Sequence, residues 1–334
     1  MRRNILSGGL SSGVLFSGLL VATLVVSLKF GAVEIAWQEI FAFLSGRADG
    51  TAPDVMILRE LRLPRILCGM LAGGAFAVSG VIMQGVLRNP LASPEVTGVS
   101  AGGALAGLVG MLLFAASAHT TLLFVFCGAL LTALAVTLLA WNKGVDPLRL
   151  ILAGVAFSAL CGAAGSFLMY LESDKASQVL AFALGSLASR SIEDLAVVFP
   201  LAFCGFTTAF FMAKKLDILQ LGDDTASSLG VRVELSRGVL VFSAVMLASS
   251  AVSLAGVIGF AGLVIPHITR MLYRSNSSCK LMVRSAVLGA VFVTLCDTVG
   301  RSIVTPAEIP AGVLTSLAGP PFFLWLLFRK GRSL

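Results

Sequence analysis

The chain has 334 residues, of which 57% are hydrophobic and only 12% are charged. Soluble globular domains carry about 25% charged residues, so this composition excludes a chain whose whole surface meets water. The charges lie in short islands between apolar runs, which is typical of a polytopic helical membrane protein. We therefore predict an all-α membrane protein with a single transmembrane domain over residues 1–334.

Ten apolar runs, taken in chain order, approach the length of about 20 residues that spans a bilayer. The first follows two N-terminal arginines, and we expect an uncleaved helix rather than a signal peptide because its apolar run is long. The eighth is broken by Gly259, Gly262 and Pro266, which is tolerated where neighbouring protein or water satisfies the freed backbone groups. The predicted spans are residues 10–30, 63–86, 97–116, 121–141, 148–170, 195–213, 236–255, 257–272, 284–304 and 309–329.

The distribution of basic residues predicts the orientation. If the chain starts inside, ten spans put both termini in the cytoplasm, with sixteen Lys and Arg on the inner side and eight on the outer side. This excess on the inner side is what the positive-inside rule requires. The net charge of +7 follows from the same bias and needs no nucleic-acid partner.

The longest polar segment on the inner side covers residues 214–232. Asp223 or Asp224 is suited to cap a short helix through Ala226 and Leu229, which Gly230 would end. Such a helix would expose an apolar stripe. Two interpretations stay open, a helix that lies on the membrane surface or a docking element for a soluble partner.

The stretch Arg88–Gly107 contains Gly-x-Ser-x-Gly at 98–102, a pattern typical of serine hydrolases. A nucleophile elbow needs a preceding strand, which the sequence does not indicate, and an intramembrane protease needs a His facing Ser100. His119 is predicted at the opposite side of a bilayer core that is about 30 Å thick. Catalysis is therefore disfavoured, and the glycines are better explained as small residues that let helices approach closely.

The sequence offers few groups that could supply energy or hold a cofactor. It has no Gly-x-x-x-x-Gly-Lys-[Ser/Thr] loop for ATP, and two histidines with no Cys-x-x-Cys pair do not predict a metal site. We expect no cofactor in this chain, and energy from a partner or from an ion gradient. Asp297 is the main candidate for ion coupling, but Arg301 one turn later favours a neutralised structural pair.

An ordered set of motifs runs along nearly the whole chain. It comprises Arg-Leu-Pro-Arg at 62–65, Arg-Asn-Pro-Leu-Ala-Ser-Pro at 88–94, Thr-Gly-Val-Ser-Ala-Gly-Gly at 97–103, Leu-Gly-Ser-Leu at 184–187, Leu-Gly-Asp-Asp at 221–224, Ile-Pro-His at 265–267, Glu-Ile-Pro-Ala-Gly at 308–312 and Gly-Pro-Pro at 319–321. This set resembles the permease subunit of the ABC importers for iron-siderophore complexes, haem and cobalamin. The alternatives are an ion-coupled secondary transporter and, more remotely, an intramembrane serine hydrolase.

The resemblance implies a fold like that of the cobalamin importer permease, with about ten transmembrane helices in the bacterial cytoplasmic (inner) membrane. It implies a homodimer, or a heterodimer with a close paralogue, whose translocation path runs along the interface. It also implies two ATP-binding cassette subunits that bind ATP and Mg²⁺, and a periplasmic or lipid-anchored binding protein that delivers the ligand. A ferric siderophore is the expected ligand, while haem and cobalamin stay open.

The resemblance also assigns roles to residues that match the family motifs. Asn89 and Leu91 match the cytoplasmic gate, in a loop that Pro90 and Pro94 are expected to keep extended. Three arginines match the residues that dock the binding protein, namely Arg62, Arg65 and Arg301. The ATPase-coupling role falls on Leu221, Gly222, Asp223, Ala226, Leu229 and Gly230.

Overall fold

The computed structural model describes residues 9–48, 50–141, 147–172, 182–273, 277–304 and 307–330. These ranges are mainly helical and contain no β-strand. The α-helices are α1 Gly9–Lys29, α2 Trp37–Leu44, α3 Pro53–Met56, α4 Leu63–Val86, α5 Val99–Leu112, α6 Ala118–Leu139, α7 Pro147–Leu171, α8 Ile192–Leu219, α9 Asp223–Ser228, α10 Val233–Ala255, α11 Ala261–Leu272, α12 Ser278–Ile303 and α13 Ala311–Lys330. A π-helical turn, Ile57–Arg62, joins α3 to α4, and a 3-10 turn, Pro94–Thr97, precedes α5.

Each predicted span corresponds to one helix, and the prediction of an all-α polytopic fold is confirmed. Among the described residues, six helical stretches are long and apolar enough to cross a membrane, namely Pro53–Val86, Ala118–Leu139, Leu148–Leu171, Ile192–Leu219, Val233–Ala255 and Ser278–Ile303. The third and eighth predicted spans are short helices, with 14 residues in α5 and 12 in α11. At about 1.5 Å per residue, these two helices cover only part of a bilayer core.

The helices α4 and α10 form the centre of the bundle. In the most apolar window of Pro53–Val86, 83% of residues are buried, and the corresponding share for α10 is 78%. For α7 and α8 the share is only 22%, so their apolar side chains face outward. A helix that is apolar on all sides and buried on most of them belongs to the core of a membrane protein.

Glycines allow α4 to touch α12 backbone to backbone. A Cβ atom added at Gly73 would overlap the carbonyl group of Gly289, and one added at Gly289 would overlap that of Gly73. The backbones of α4 and α12 are therefore in direct contact at these two glycines, as small residues permit between helices in lipid. The position of α12 against the core therefore depends on two residues without side chains.

Hydroxyl groups add hydrogen bonds between helices inside the apolar bundle. Ser79 of α4 donates to the Ala244 carbonyl of α10 at 2.6 Å, and Ser253 of α10 donates to the Leu122 carbonyl of α6 at 2.7 Å. Both serines are fully buried. These bonds satisfy polar groups where water is absent and fix the register of α10 against its neighbours.

The first helix is part of the same bundle. Thr298 of α12 donates to the Ser27 hydroxyl at 2.8 Å, and both side chains are buried. The Phe16 ring lies 5.2 Å from the Tyr273 ring, measured between centroids. These contacts pack α1 against α12 and against the end of α11, while the absence of cleavage stays a prediction.

Candidate functional site

Polar side chains gather at two opposite ends of the bundle. One group surrounds Arg65 and Asp297 and defines what we call the Arg65 end. The other surrounds Arg88 and Asp223 and defines the Arg88 end. Since α4 runs from one group to the other, the two ends are separated by the length of a spanning helix.

At the Arg65 end, a buried carboxylate joins α4 to α12. Arg65 donates from Nε to Asp297 Oδ2 and from Nη2 to Asp297 Oδ1, each at 2.8 Å, and from Nη1 to Glu308 Oε2 at 2.8 Å. The Asp297 side chain is 3% exposed and that of Arg65 is 11% exposed. A parallel fork of this kind is the strongest geometry for an arginine–carboxylate pair. The predicted ion pair with Arg301 is also present, with Nε 3.9 Å from Asp297 Oδ2, but Arg65 is the closer partner.

The other two arginines of the predicted docking set bind backbone carbonyls of this chain. Arg62 donates to the carbonyls of Leu28, Lys29 and Val33, and Arg301 donates to that of Ser27. Both side chains are only 4% exposed. They tie the end of α1 to the π-helical turn before α4 and to α12, because each guanidinium satisfies carbonyls that the end of a helix leaves free. Their role in docking a binding protein stays a prediction, and little of their surface faces outward here.

A cavity of about 640 Å³ opens at the Arg65 end. Charged side chains of both signs contribute to its lining, namely Arg62, Arg65, Arg190, Arg301, Glu60 and Glu308. Burial lowers the pKa of Arg190, and Asp194, 3.9 Å away, opposes that effect. The lining therefore holds four arginines and two glutamates, and the carboxylates of Asp297 and Asp194 lie next to Arg65 and Arg190.

Sequence reasoning missed a second buried carboxylate at this end, that of Asp194. It accepts from the Ser191 backbone N–H at 3.1 Å, while Ser191 Oγ accepts from the Asp194 N–H at 3.2 Å, which is a capping box at the start of α8. His119 Nδ1 lies 2.8 Å from Asp194 Oδ1 and joins α6 to the same point. The Ser-x-x-Asp spacing at 191–194 was the signal available in the sequence.

At the Arg88 end, one carboxylate contacts two arginines. Arg88 Nη2 donates to Asp223 Oδ1 at 3.0 Å, and Arg237 Nη2 donates to Asp223 Oδ1 and Oδ2 at 2.9 and 3.0 Å. Arg237 is buried, and its Nη1 also donates to Glu234 at 3.2 Å. The expectation that Asp223 or Asp224 caps a helix is wrong, because Gly222 occupies the N-cap position and no side chain caps α9. Asp223 is the first residue of α9 and links it to its surroundings.

The predicted gate loop is folded rather than extended. Arg88 has a left-handed backbone, with φ of 48°, and the Asn89 side chain accepts from the Leu91 N–H at 2.9 Å. Ser93, the residue before Pro94, is extended as expected, but Pro94 itself begins a 3-10 turn, where its missing N–H costs nothing. Leu91 is 58% exposed. Asn89 therefore shapes the loop and Leu91 projects from it, while the role of both as a gate stays a prediction.

The buried carboxyl of Glu95 follows in the 3-10 turn. It accepts from the backbone N–H of Phe260, which precedes α11, and from the Ser93 hydroxyl. Burial raises the pKa of Glu95 from 4.5 to about 7, although both hydrogen bonds favour the ionised form. Glu95 thus joins the α4–α5 connection to the start of α11.

The predicted coupling residues divide into exposed and buried ones. Leu221 and Leu229 are 63% and 59% exposed, on either side of α9. Ala226 is fully buried and packs into the main apolar core, so its side chain holds α9 against the bundle. Gly222 and Gly230 have φ of 112° and 79°, conformations that glycine adopts without strain, and they bracket the helix. The segment therefore offers two leucines to a partner, and the coupling role stays a prediction.

Ser100 lacks the surroundings of a nucleophile. Its side chain is buried, and its Oγ has no hydrogen-bond partner among the described residues. A Cβ at Gly102 would overlap the Thr132 side chain, which puts this part of α5 level with Thr132 on α6. His119 is thirteen residues from Thr132, which corresponds to about 20 Å along a helix. The hydrolase alternative therefore has no support in the geometry.

The described part of the chain defines an integral membrane protein, with spanning helices, charges held at two ends and an apolar outer face. Comparison with known proteins identifies its family. The FecCD transport family matches residues 19–329, and the chain belongs to this family.

Relatives match over almost the whole chain. The Fe(3+)-citrate import system permease protein of Bacillus subtilis is 37% identical over 94% of this chain and 94% of its own length. The hemin transport system permease protein of Yersinia pestis is 38% identical over 93% of this chain and 93% of its own length. A solved chain described as a metal-chelate type ABC transporter in an inward-facing conformation matches with a TM-score of 0.81 and 31% identity, covering 95% of this chain and 98% of that one.

Proposed function

We propose that this chain is the membrane-spanning permease subunit of an ABC importer that carries a metal chelate. The likeness to the metal-chelate type ABC transporter, at 31% identity over 95% of the chain, carries this proposal. The curated relatives include permease proteins for ferric citrate, hemin and iron(3+)-hydroxamate. An iron chelate is accordingly the proposed ligand class, with a ferric siderophore or ferric citrate ahead of haem and cobalamin.

The proposed transport unit contains a second permease copy or close paralogue, two ATP-binding cassette subunits and an extracytoplasmic binding protein. ATP and Mg²⁺ are bound by the cassette subunits, since this chain has no phosphate-binding loop of its own. The Arg88 end is proposed to face the cytoplasm, because the inner side then holds the excess of basic residues. The Arg65 end would then face the binding protein, in the bacterial inner membrane.

Alternating access is the proposed mechanism. ATP binding and hydrolysis in the cassette subunits would displace α9, and the leucines on either side of it are suited to bury apolar surface in a partner groove. The displacement would open and close the path near Asn89 and Leu91. Proton coupling is a weaker candidate, since the Asp297 carboxylate is occupied by Arg65.

The first experiment is a mild-detergent purification of the tagged chain from its native membrane, followed by mass spectrometry. A cassette ATPase at one copy per permease supports the proposal, and ATP-driven import of ferric citrate, a ferric hydroxamate or hemin into proteoliposomes then identifies the ligand. A lone chain that transports with an ion gradient alone would overturn the proposal in favour of a secondary transporter.

A further inference from the structure

The Asp223 carboxylate joins three segments that are separate in the sequence. It belongs to α9, it accepts from Arg88 at the end of α4, and it accepts from Arg237 on α10. The Arg88 residue immediately precedes Asn89 of the predicted gate loop. A single side chain thus connects the short helix proposed to meet the ATPase with the loop proposed to close the path.

The backbone on both sides of this contact is well defined. The N–H groups of Arg88 and Asn89 donate to the carbonyls of Gly85 and Gln84, so Arg88 is fixed to the last turn of α4. At the other side, Gly222 takes φ of 112°, and a Cβ there would lie 3.6 Å from Arg88 Nη1. The guanidinium therefore spans a short gap between two fixed backbone segments.

The Asp223 carboxylate accepts three hydrogen bonds within this chain, out of about four that a carboxylate can accept. Both of its oxygens accept from Arg237, and one also accepts from Arg88. Arg237 is only 8% exposed, so its charge depends on this carboxylate and on Glu234 for compensation. The Asp223 side chain therefore acts inside this chain, whereas the neighbouring Asp224 is exposed and has no ion pair within the described ranges.

We propose that Arg88 is a positioning residue for transport, which makes the loop of residues 88–93 follow α9 through its ion pair with Asp223. The inference rests on the proposed function, since it presupposes that α9 moves with an ATPase. The Arg88 and Asp223 side chains are 45% and 44% exposed, and an exposed pair adds little to folding stability. Its effect is therefore expected in the ratio of ligand imported to ATP hydrolysed rather than in the amount of folded protein.

The test is a double-variant cycle in proteoliposomes that contain the permease, its ATPase and its binding protein. Arg88→Gln and Asp223→Asn are each expected to lower the ligand imported per ATP by about three- to tenfold, the size of effect found for residues that couple two sites. The double variant should fall no lower than the worse single variant, because both changes remove the same contact. Arg88→Lys keeps the charge and should keep the ratio within about twofold of the original.

Glu34→Gln is the control, since it removes one exposed carboxylate far from α9 and from the loop of residues 88–93, and it should leave the ratio unchanged. The proposal is overturned if Arg88→Gln keeps the original ratio, if the two single effects multiply in the double variant, or if Glu34→Gln has an equal effect. Asp223→Asn could fail to assemble because Arg237 loses its partner. In that case the ratio of ligand imported to ATP hydrolysed in Arg88→Gln and Arg88→Lys tests the proposal, and equal ratios in the two variants overturn it.

Failure of the inference and failure of the proposed function give different results. An unmodified chain that recruits no ATPase and imports no chelate with ATP contradicts the proposed function. An unmodified chain that imports with ATP, together with an Arg88→Gln variant of equal efficiency, contradicts only the link between α9 and the gate loop.

Discussion

The Arg65 guanidinium and the Asp297 carboxylate form two parallel hydrogen bonds, each 2.8 Å long. The two residues are 232 positions apart in the sequence, and the bonds join α4 to α12. Both side chains are largely buried, so neither charge is compensated by water. Breaking a buried pair leaves an uncompensated charge behind, whereas replacing both partners by apolar residues is often neutral.

This pair predicts how substitutions of Asp297 affect stability. Asp297→Ala should lower the free energy of unfolding by about 3 kcal/mol, because Arg65 keeps only Glu308 as an acidic partner. The double variant Arg65→Met with Asp297→Leu should recover most of that loss. Unfolding midpoints of the detergent-solubilised proteins measure both effects, and a double variant less stable than Asp297→Ala would contradict a purely structural pair.

Leu229 gives a prediction about ATPase binding. Leu229→Ala should weaken association with the ATPase about tenfold, because an apolar side chain buried at an interface contributes about 1.5 kcal/mol or more. The fold should be unaffected, since the leucine is 59% exposed and lies outside the helices. Co-purification and a binding titration measure the affinity.

Leu113 is the matched control for Leu229, because it is also 59% exposed but lies near the Arg65 end. Leu113→Ala should leave ATPase affinity as it was. Equal affinities for the original chain and Leu229→Ala would rule out this leucine as a contact. The variant also differs from Arg88→Gln, which should retain the ATPase and lose import per ATP.

The sequence predicted most of the fold and the grouping of charges, because span length and apolar runs depend on local composition. Partners between helices were harder to predict. Arg301 follows Asp297 by one turn, so it was the partner that the sequence indicated. Arg65 on α4 lies closer to the carboxylate, at 2.8 Å against 3.9 Å for Arg301. Ala226 matched a coupling motif, yet the packing of α9 turns its side chain into the core. Local spacing does not specify which helices become neighbours.

The contact between Gly73 and Gly289 predicts a strong effect of a larger residue. Gly73→Val should destabilise the protein by about 3 kcal/mol. The new Cβ would overlap the backbone carbonyl group of Gly289 on α12, and a backbone group cannot rotate away as a flexible side chain can. Gly18→Val is the control, since a Cβ at this exposed position meets nothing within 4 Å. Thermal unfolding of both variants checks the prediction, and equal midpoints would contradict the close approach of α4 and α12.

Glu95 predicts a dependence of stability on pH. A carboxyl whose pKa is higher in the folded state than in the unfolded chain binds its proton more tightly when folded. Its contribution to stability is therefore complete below the unfolded value of 4.5 and is lost as the pH rises through about 7. Glu95→Gln keeps the size of the side chain but removes the titration, so the stability of this variant should depend less on pH in that window.

The measurement compares unfolding midpoints from pH 5 to pH 8 for the original chain, Glu95→Gln and the control Glu34→Gln, whose side chain is 70% exposed between α1 and α2. The original chain and Glu34→Gln should lose stability in parallel as the pH rises, while Glu95→Gln follows a flatter curve. Three parallel curves would mean that Glu95 titrates as it does in water, and that its contact with the start of α11 leaves the carboxyl accessible to solvent.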